Sequence, residues 1–162
     1  MSFQTTKINT KDKQKFYQLL SQQVEGLLSV ETDFIANAAN LSSLLYHSLE
    51  QVNWVGFYLL KNDELVLGPF QGQVACTRIP IGKGVCGTAF ETNTTQRIKD
   101  VNVFEGHIAC DTASASEIVI PLTINGNTIG VLDIDSPILD RLDSLDQSEL
   151  ELIAQIFCEK VS

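Results

Sequence analysis

The stretch EIVIPLTINGNTIGVLDID, residues 117–135, carries the strongest fold signal in the chain. Two runs rich in Ile, Val and Leu flank the dipeptide Asn125-Gly126. Both residues of this dipeptide accept the positive φ of a type I′ turn, which matches the twist of paired strands. The pattern therefore predicts a tight antiparallel hairpin.

Further strands are predicted before this hairpin. The segment NWVGFYLL, residues 53–60, is rich in β-forming residues, and KNDE turns the chain into LVLGPF, residues 65–70. We expect the next strand in QVACTRIPI, residues 73–81, followed by a short helix over residues 85–93. The hairpin and these segments together favour a mostly antiparallel sheet.

Helices are predicted on both sides of the strand region. Apolar residues at i, i+3, i+4 spacing indicate an amphipathic helix over residues 11–28, and Thr32 is the expected cap of a second helix. Ser144 and Gln147 predict a capping box for the closing helix. The order of elements favours a single α+β domain over residues 1–162, with N-terminal helices and a C-terminal helix. We expect the inward face of the second helix to comprise Phe34, Ile35, Ala38, Leu41, Leu44, Leu45 and Leu49.

The charge of the chain argues against two classes of partner. The formal net charge is −9, with the acidic residues scattered along the sequence. Neither a nucleic-acid backbone nor an anionic membrane attracts such a surface, so we expect neither partner. No apolar run reaches the roughly 20 residues that a membrane span needs, and the first 20 residues contain no signal-peptide segment. These features favour a cytoplasmic protein.

Four cysteines suggest either buried thiols or redox chemistry. They lack paired C-x-x-C spacing and lie at no ligand spacing from the two histidines, so we expect no metal site. Cys158 lies in the apolar closing helix and reads as a small core residue. Cys86 opens the short helix, whose N-terminus is expected to lower its thiol pKa from about 8.5. Cys110 lies in a loop of small residues that a substrate can reach, and together with Cys76 these thiols suggest a redox relay.

Three acidic residues are predicted to converge at one end of the hairpin. Asp133 and Asp135 alternate onto one face of their strand, and Glu117 lies on the partner strand near the same end. Such a cluster suits a cationic or protonatable ligand, such as the ammonium group of an amino acid. A solvated strand end is the alternative interpretation.

Two aromatic residues lie close to this cluster in the predicted sheet. Trp54 and Tyr58 alternate onto one face of their strand, with Gly56 between them. Ordinary core packing explains this pattern. Beside the acids, the space over Gly56 is alternatively a small pocket for a methyl group or a sulfonium-like centre.

The segment GKGVCG matches the dinucleotide-binding pattern G-x-G-x-x-G. A dinucleotide-binding fold continues as parallel βαβ units, whereas this chain continues into the Asn125-Gly126 hairpin. We therefore interpret the glycines as a turn that permits tight backbone packing.

Several segments together resemble the GAF-domain free methionine-(R)-sulfoxide reductases, and the resemblance spans nearly the whole chain. The matching segments are NWVGFYLL, LVLGPFQGQVACTRIPIGKGVCGTAF, VFEGHIACDTASASEIVIPL and IGVLDIDSP. The resemblance implies that Cys110 attacks the sulfoxide sulfur, with Cys76 the preferred resolving thiol and Cys86 a second one. It implies a substrate pocket formed by Trp54, Tyr58, Glu117, Asp133 and Asp135, and it gives Cys158 no role.

The same resemblance implies a reaction. Free L-methionine (R)-S-oxide is reduced to L-methionine, leaving a sulfenic acid on Cys110 that condenses to an intramolecular disulfide. Thioredoxin then restores the thiols, so no cofactor is needed, and a homodimer is implied. The alternative is a GAF module that senses a ligand or a redox change without turnover.

Overall fold

A computed structural model describes residues 3–106 and 113–162. Within these ranges no helix combines the length and the apolarity that a membrane span requires. In chain order the elements are α1 (Lys13–Leu28), α2 (Phe34–Ser48), β1 (Trp54–Lys61), β2 (Glu64–Gly72), β3 (Arg78–Pro80), α3 (Gly84–Thr92), β4 (Gln96–Ile98), a 3₁₀ turn (Val101–Val103), β5 (Ser116–Ile124), β6 (Asn127–Ser136) and α4 (Ser144–Val161).

The strands form one six-stranded sheet in the order β3-β2-β1-β6-β5-β4, and each pairing is antiparallel. The predicted α+β fold is therefore confirmed. Strands β5 and β6 form the predicted hairpin, in which Asn125 and Gly126 adopt φ values of 50° and 80°. Because β6 also pairs with β1, this hairpin occupies the middle of the sheet.

The two faces of the sheet pack against different helices and belong to two separate apolar clusters. Alternate residues such as Ile118, Leu132 and Ile134 pack against α1, α2 and α4 in the larger apolar core. The opposite face carries Val119 and Val131, which pack with residues of α3 in a smaller cluster. The acidic residues 117, 133 and 135 have the strand parity of this second face, so α3 covers them.

Two details of α2 differ from the prediction. Its N-cap is Asp33, whose carboxylate accepts a hydrogen bond from the Ala36 N–H at 2.8 Å, so the assignment of the cap to Thr32 was wrong. Ile35 is 53% exposed and does not face the core. The cap shifted by one residue because an aspartate carboxylate in the extended conformation directly before the helix satisfies a first-turn N–H.

The capping box of α4 also lies one residue earlier than predicted. Asp143 caps the helix and Asp146 reaches back to the Asp143 N–H at 2.8 Å, so the pair Ser144 and Gln147 was wrong. Two acidic side chains three residues apart perform the same reciprocal bonding as the expected Ser and Gln.

The strand predicted over residues 73–81 is largely absent, because only Arg78–Pro80 pairs in the sheet. The chain leaves β2 at Gly72, which adopts a φ of 131° that side-chain-bearing residues rarely adopt. It returns where the Leu67 N–H donates to the Thr77 carbonyl at 3.0 Å. Residues 73–77 thus form a loop, and Cys76 lies in it.

A buried carboxylate joins the first and last helices. Asp146 is fully buried and accepts hydrogen bonds from the Tyr17 hydroxyl at 2.6 Å and the Lys13 ammonium at 2.7 Å. The Arg141 guanidinium lies 3.3 Å away. Burial and the bond to Asp146 raise the pKa of Tyr17, so its hydroxyl remains a donor. The network fixes α1 against α4 behind the sheet.

Asp146→Asn should lower the free energy of unfolding by about 3 kcal/mol, because it removes the charge that two cations surround in a buried setting. Urea unfolding followed by circular dichroism measures this loss. The matched control is Asp143→Asn, in which the exposed side chain remains a good N-cap and the loss should stay below about 1 kcal/mol. Equal losses in the two variants would show that the buried network stabilises the fold no more than the exposed cap does.

Candidate active site

The structure brings the three predicted acidic residues together. Glu117 on β5 lies directly opposite Asp135 on β6, and Asp133 is two residues away on the same face. One carboxylate oxygen from each residue lies within 4.8 Å of the others. Their exposed fractions are 5%, 6% and 9% for Glu117, Asp133 and Asp135. The cluster is therefore buried beneath α3. This burial rules out the alternative interpretation, in which the acids lie at a solvated strand end.

Burial controls the charge of this cluster. Desolvation, and then the charge of Asp135, raise the pKa of Glu117 well above its usual value. Desolvation, followed by the charge of Glu117, likewise raises the pKa of Asp133. Neighbouring carboxylates in a poorly hydrated site disfavour one another's ionisation, so burial favours the protonated forms of Glu117 and Asp133. The acid cluster therefore offers both proton donors and a potential negative charge to a ligand that binds there.

The same oxygens are placed where a metal ion could be held. Oxygen-only carboxylate sets suit hard cations such as Mg²⁺ or Ca²⁺. A metal would first have to displace the protons that burial favours, since carboxylates bind metals in the ionised form.

Cys86 contacts this cluster through its thiol. It is the third residue of α3, and its Sγ donates to Asp133 Oδ2 over 3.3 Å. Burial raises the pKa of Cys86 well above its ordinary value, and the carboxylates of Asp133, Glu117 and Asp135 raise it further. The prediction of a lowered pKa was therefore wrong, because desolvation and three acids outweigh the helix N-terminus.

An aromatic stack borders the acids on the same face. Trp54 stacks on Tyr58 with ring centroids 5.9 Å apart, and on Phe70 of β2 with centroids 5.3 Å apart. The expected space over Gly56 is filled, because a Cβ there would lie 2.3 Å from Phe70 Cβ and 2.6 Å from the Trp54 ring. The idea of a methyl pocket over Gly56 was wrong. Glycine is needed so that the indole can lie flat on the sheet.

Phe70 is the site residue that the sequence analysis missed. It lies in the predicted strand LVLGPF, and its partner in the sheet is Gly56. The sequence does contain a signal for this role. Gly56 has no side chain, so its strand partner Phe70 has space beside it for the ring of Trp54.

The cysteines are divided between two regions of the molecule. Cys76 lies in the loop of residues 73–77 and is disulfide-bonded, whereas Cys86 and Cys158 are free thiols. Cys158 is buried on the helical face of the sheet, away from the acids, and burial raises its pKa to about 11. Cys110 lies outside the described residues.

The glycines of GKGVCG serve packing, as interpreted from the sequence. A Cβ on Gly87 would lie 2.5 Å from the Pro80 carbonyl oxygen, and the Gly82 N–H donates to the Gly87 carbonyl at 3.0 Å. This close approach brings α3, and with it Cys86, onto the acidic face.

Comparison with known proteins identifies the family. The GAF domain model matches residues 20–162. The chain is 55% identical to the free methionine-R-sulfoxide reductase of Escherichia coli, over 93% of this chain and 90% of that protein. The chain belongs to the GAF-domain free methionine-R-sulfoxide reductase family. Protein YtsP of Bacillus subtilis is 58% identical over 89% of this chain and 90% of its own length.

A solved structure shows the same fold in this family. The X-ray structure of free methionine-R-sulfoxide reductase from Neisseria meningitidis, in complex with its substrate, matches with a TM-score of 0.93 and 43% identity. The match covers 97% of this chain and 95% of that one. The resemblance inferred from the sequence is thus confirmed.

Asp133→Asn should stabilise the protein, increasingly as the pH rises. A carboxyl whose pKa is raised in the folded state adds stability that is complete below its unfolded pKa of about 4 and is lost as the pH rises through the folded value. The asparagine variant lacks this loss. Urea unfolding at pH 5 and pH 8 tests the sign.

The control is Asp63→Asn, in an exposed turn, which should change the free energy of unfolding by less than about 0.5 kcal/mol. A gain for Asp133→Asn that is equal at both pH values would contradict a raised pKa.

Proposed function

We propose that this chain reduces the R sulfoxide of free methionine to methionine. The observation that carries the proposal is the buried cluster of Glu117, Asp133 and Asp135 beside the stacked rings of Trp54 and Tyr58, where burial raises the pKa values of Glu117 and Asp133. A protonated acid assists departure of the sulfoxide oxygen, and a charged member of the cluster pairs with an ammonium group. Peptide-bound methionine lacks that ammonium group. Family membership supports the same substrate.

In the proposed first step, the Cys110 thiolate attacks the sulfoxide sulfur. The cysteine sulfur loses two electrons and becomes a sulfenic acid, while the sulfoxide sulfur gains two electrons and leaves as the thioether of methionine. The oxygen moves to Cys110 with a proton. Glu117 and Asp133 are the proposed sources of this proton, because burial raises their pKa values and so favours the protonated form.

In the proposed second step, the Cys76 thiol attacks the sulfenic acid, a disulfide forms and water leaves. The disulfide-bonded state of Cys76 supports this resolving role. Cys86 remains the second candidate, although its buried bond to Asp133 favours a part in the acid cluster.

A dithiol of the thioredoxin type then reduces the disulfide by exchange, through a mixed disulfide. We place the reaction in the cytoplasm, where such reductants keep thiols reduced, and we propose the homodimer that the family resemblance implies.

A redox sensor that forms the same disulfide without turnover is the second candidate. The disulfide at Cys76 favours it equally, since oxidation alone produces such a bond. Sustained turnover on methionine sulfoxide separates the two functions.

With thioredoxin, thioredoxin reductase and NADPH, the protein should consume NADPH on free methionine (R)-sulfoxide. It should show negligible consumption on the S form and on the N-acetylated amide of the R form, because the acid cluster requires a free ammonium group. Absorbance at 340 nm follows the reaction. Comparable rates on the amide would refute recognition of the free amino acid, and a single stoichiometric oxidation without turnover would indicate a sensor.

The cysteine variants should separate by role in a rapid-quench count of methionine released per protein. Cys110→Ser should release none, because a serine hydroxyl is a poor nucleophile toward sulfur. Cys76→Ser should still release about one methionine per site, since a sulfenic acid forms without a resolving thiol. Cys158→Ser is the control and should match wild type, because this thiol lies on the opposite face. A full burst from Cys110→Ser would overturn the assignment.

A further inference from the structure

Two buried aromatic side chains hold the backbone of the Cys76 loop. The Trp54 Nε1–H donates to the Gln73 carbonyl at 3.1 Å, and the Tyr58 hydroxyl donates to the carbonyl of Cys76 itself at 2.9 Å. Residues 73–77 have no helix or strand geometry of their own. These two bonds, with the Leu67–Thr77 backbone bond, therefore attach the loop to the sheet.

The rings that donate these bonds have little freedom to move. Trp54 and Tyr58 are each 1% exposed and stack on one another. Below the indole, a Cβ on Gly56 would contact the ring at 2.6 Å, and a Cβ on Gly72 would contact it at the same distance. Two glycines thus admit the indole closely against the backbone, which fixes the direction of its N–H.

We propose that Tyr58 and Trp54 are positioning residues for the second step, in which Cys76 forms its disulfide. This inference rests on the proposed function. A disulfide tolerates only a narrow range of Cα separations, about 4.4 to 6.8 Å, so the backbone of the resolving residue must be held in place. Loss of a bond to that backbone lowers the fraction of time in the reactive geometry.

The hydroxyl of Tyr58 acts without exchanging a proton. Burial and the neighbouring carboxylates raise its pKa, so it is a neutral donor to the Cys76 carbonyl. The thiol of Cys76 supplies the electron pair for the new S–S bond, and the sulfenic oxygen leaves as water. The same rings border the acids, so Trp54 and Tyr58 connect the acid cluster to the resolving loop.

Tyr58→Phe tests the role, because it keeps the ring and removes only the hydroxyl. Rapid quench measures methionine release for the first step. Dimedone trapping with mass spectrometry measures loss of the sulfenic acid for the second. We expect the second step to slow about tenfold more than the first, which corresponds to one lost hydrogen bond. Trp54→Phe removes the other donor and should shift the ratio in the same direction, which keeps the test valid if one variant fails to fold.

Tyr46→Phe is the matched control, since Tyr46 lies on α2 beside His47 and away from the loop, and its ratio of step rates should equal that of wild type. Equal slowing of both steps in Tyr58→Phe and Trp54→Phe, or an unchanged second step, would overturn the positioning role.

Stoichiometric hydrogen peroxide separates this inference from the proposed function. Peroxide oxidises a thiol to a sulfenic acid and releases water, so the second step is timed without methionine sulfoxide. A wild-type protein that forms the disulfide after peroxide but releases no methionine refutes the proposed function alone. Slower disulfide formation in Tyr58→Phe after peroxide is still expected, and its absence refutes the positioning role.

Discussion

The register of the β5–β6 hairpin is the constraint on which both faces of the sheet depend. A slip of one residue within the hairpin would put Glu117 opposite Ile134 or Ser136, on the other face of the sheet from Asp133 and Asp135. A carboxyl turned into the main core would be strongly destabilising, because the apolar side chains there offer no hydrogen-bond partner to offset its desolvation. The positive φ values of Asn125 and Gly126 fix the turn, and the burial on either side then leaves one register.

Burial of the acids destabilises the face of the sheet that α3 covers. Apolar packing on the opposite face, against α1, α2 and α4, compensates for this loss. The large core formed with α1, α2 and α4 contains most of the fully buried side chains and provides the larger apolar interior. The smaller cluster on the other face packs aromatic and aliphatic side chains beside the carboxyls, one of which accepts a hydrogen bond from the Cys86 thiol. Sites that must handle charge commonly sacrifice stability in this way. The division between the faces lets one sheet serve both purposes.

The sequence predicts this division well, because strand alternation is local. Period-two spacing places Asp133 and Asp135 on one face, and the Asn-Gly turn places Glu117 opposite. The errors arise where distant groups decide the outcome. Residues 73–77 leave the sheet at Gly72 and are held by rings of another strand, which no local pattern reveals. The pKa of Cys86 is likewise raised by burial and then by acids 31 or more positions away, against the tendency of its own helix.

Environment, and not residue type, distinguishes the thiols of this molecule. Cys86 and Cys158 are both buried, free and in helices, yet one bonds to a carboxylate and the other packs against hydrocarbon. Burying this acid cluster costs folding free energy, because desolvation disfavours the ionised carboxylates. It becomes less costly when a cation enters, since an ammonium group favours ionisation of a neighbouring carboxyl. Under the proposed function, the ammonium group of the ligand therefore supplies the positive charge that stabilises an ionised carboxylate in this buried cluster.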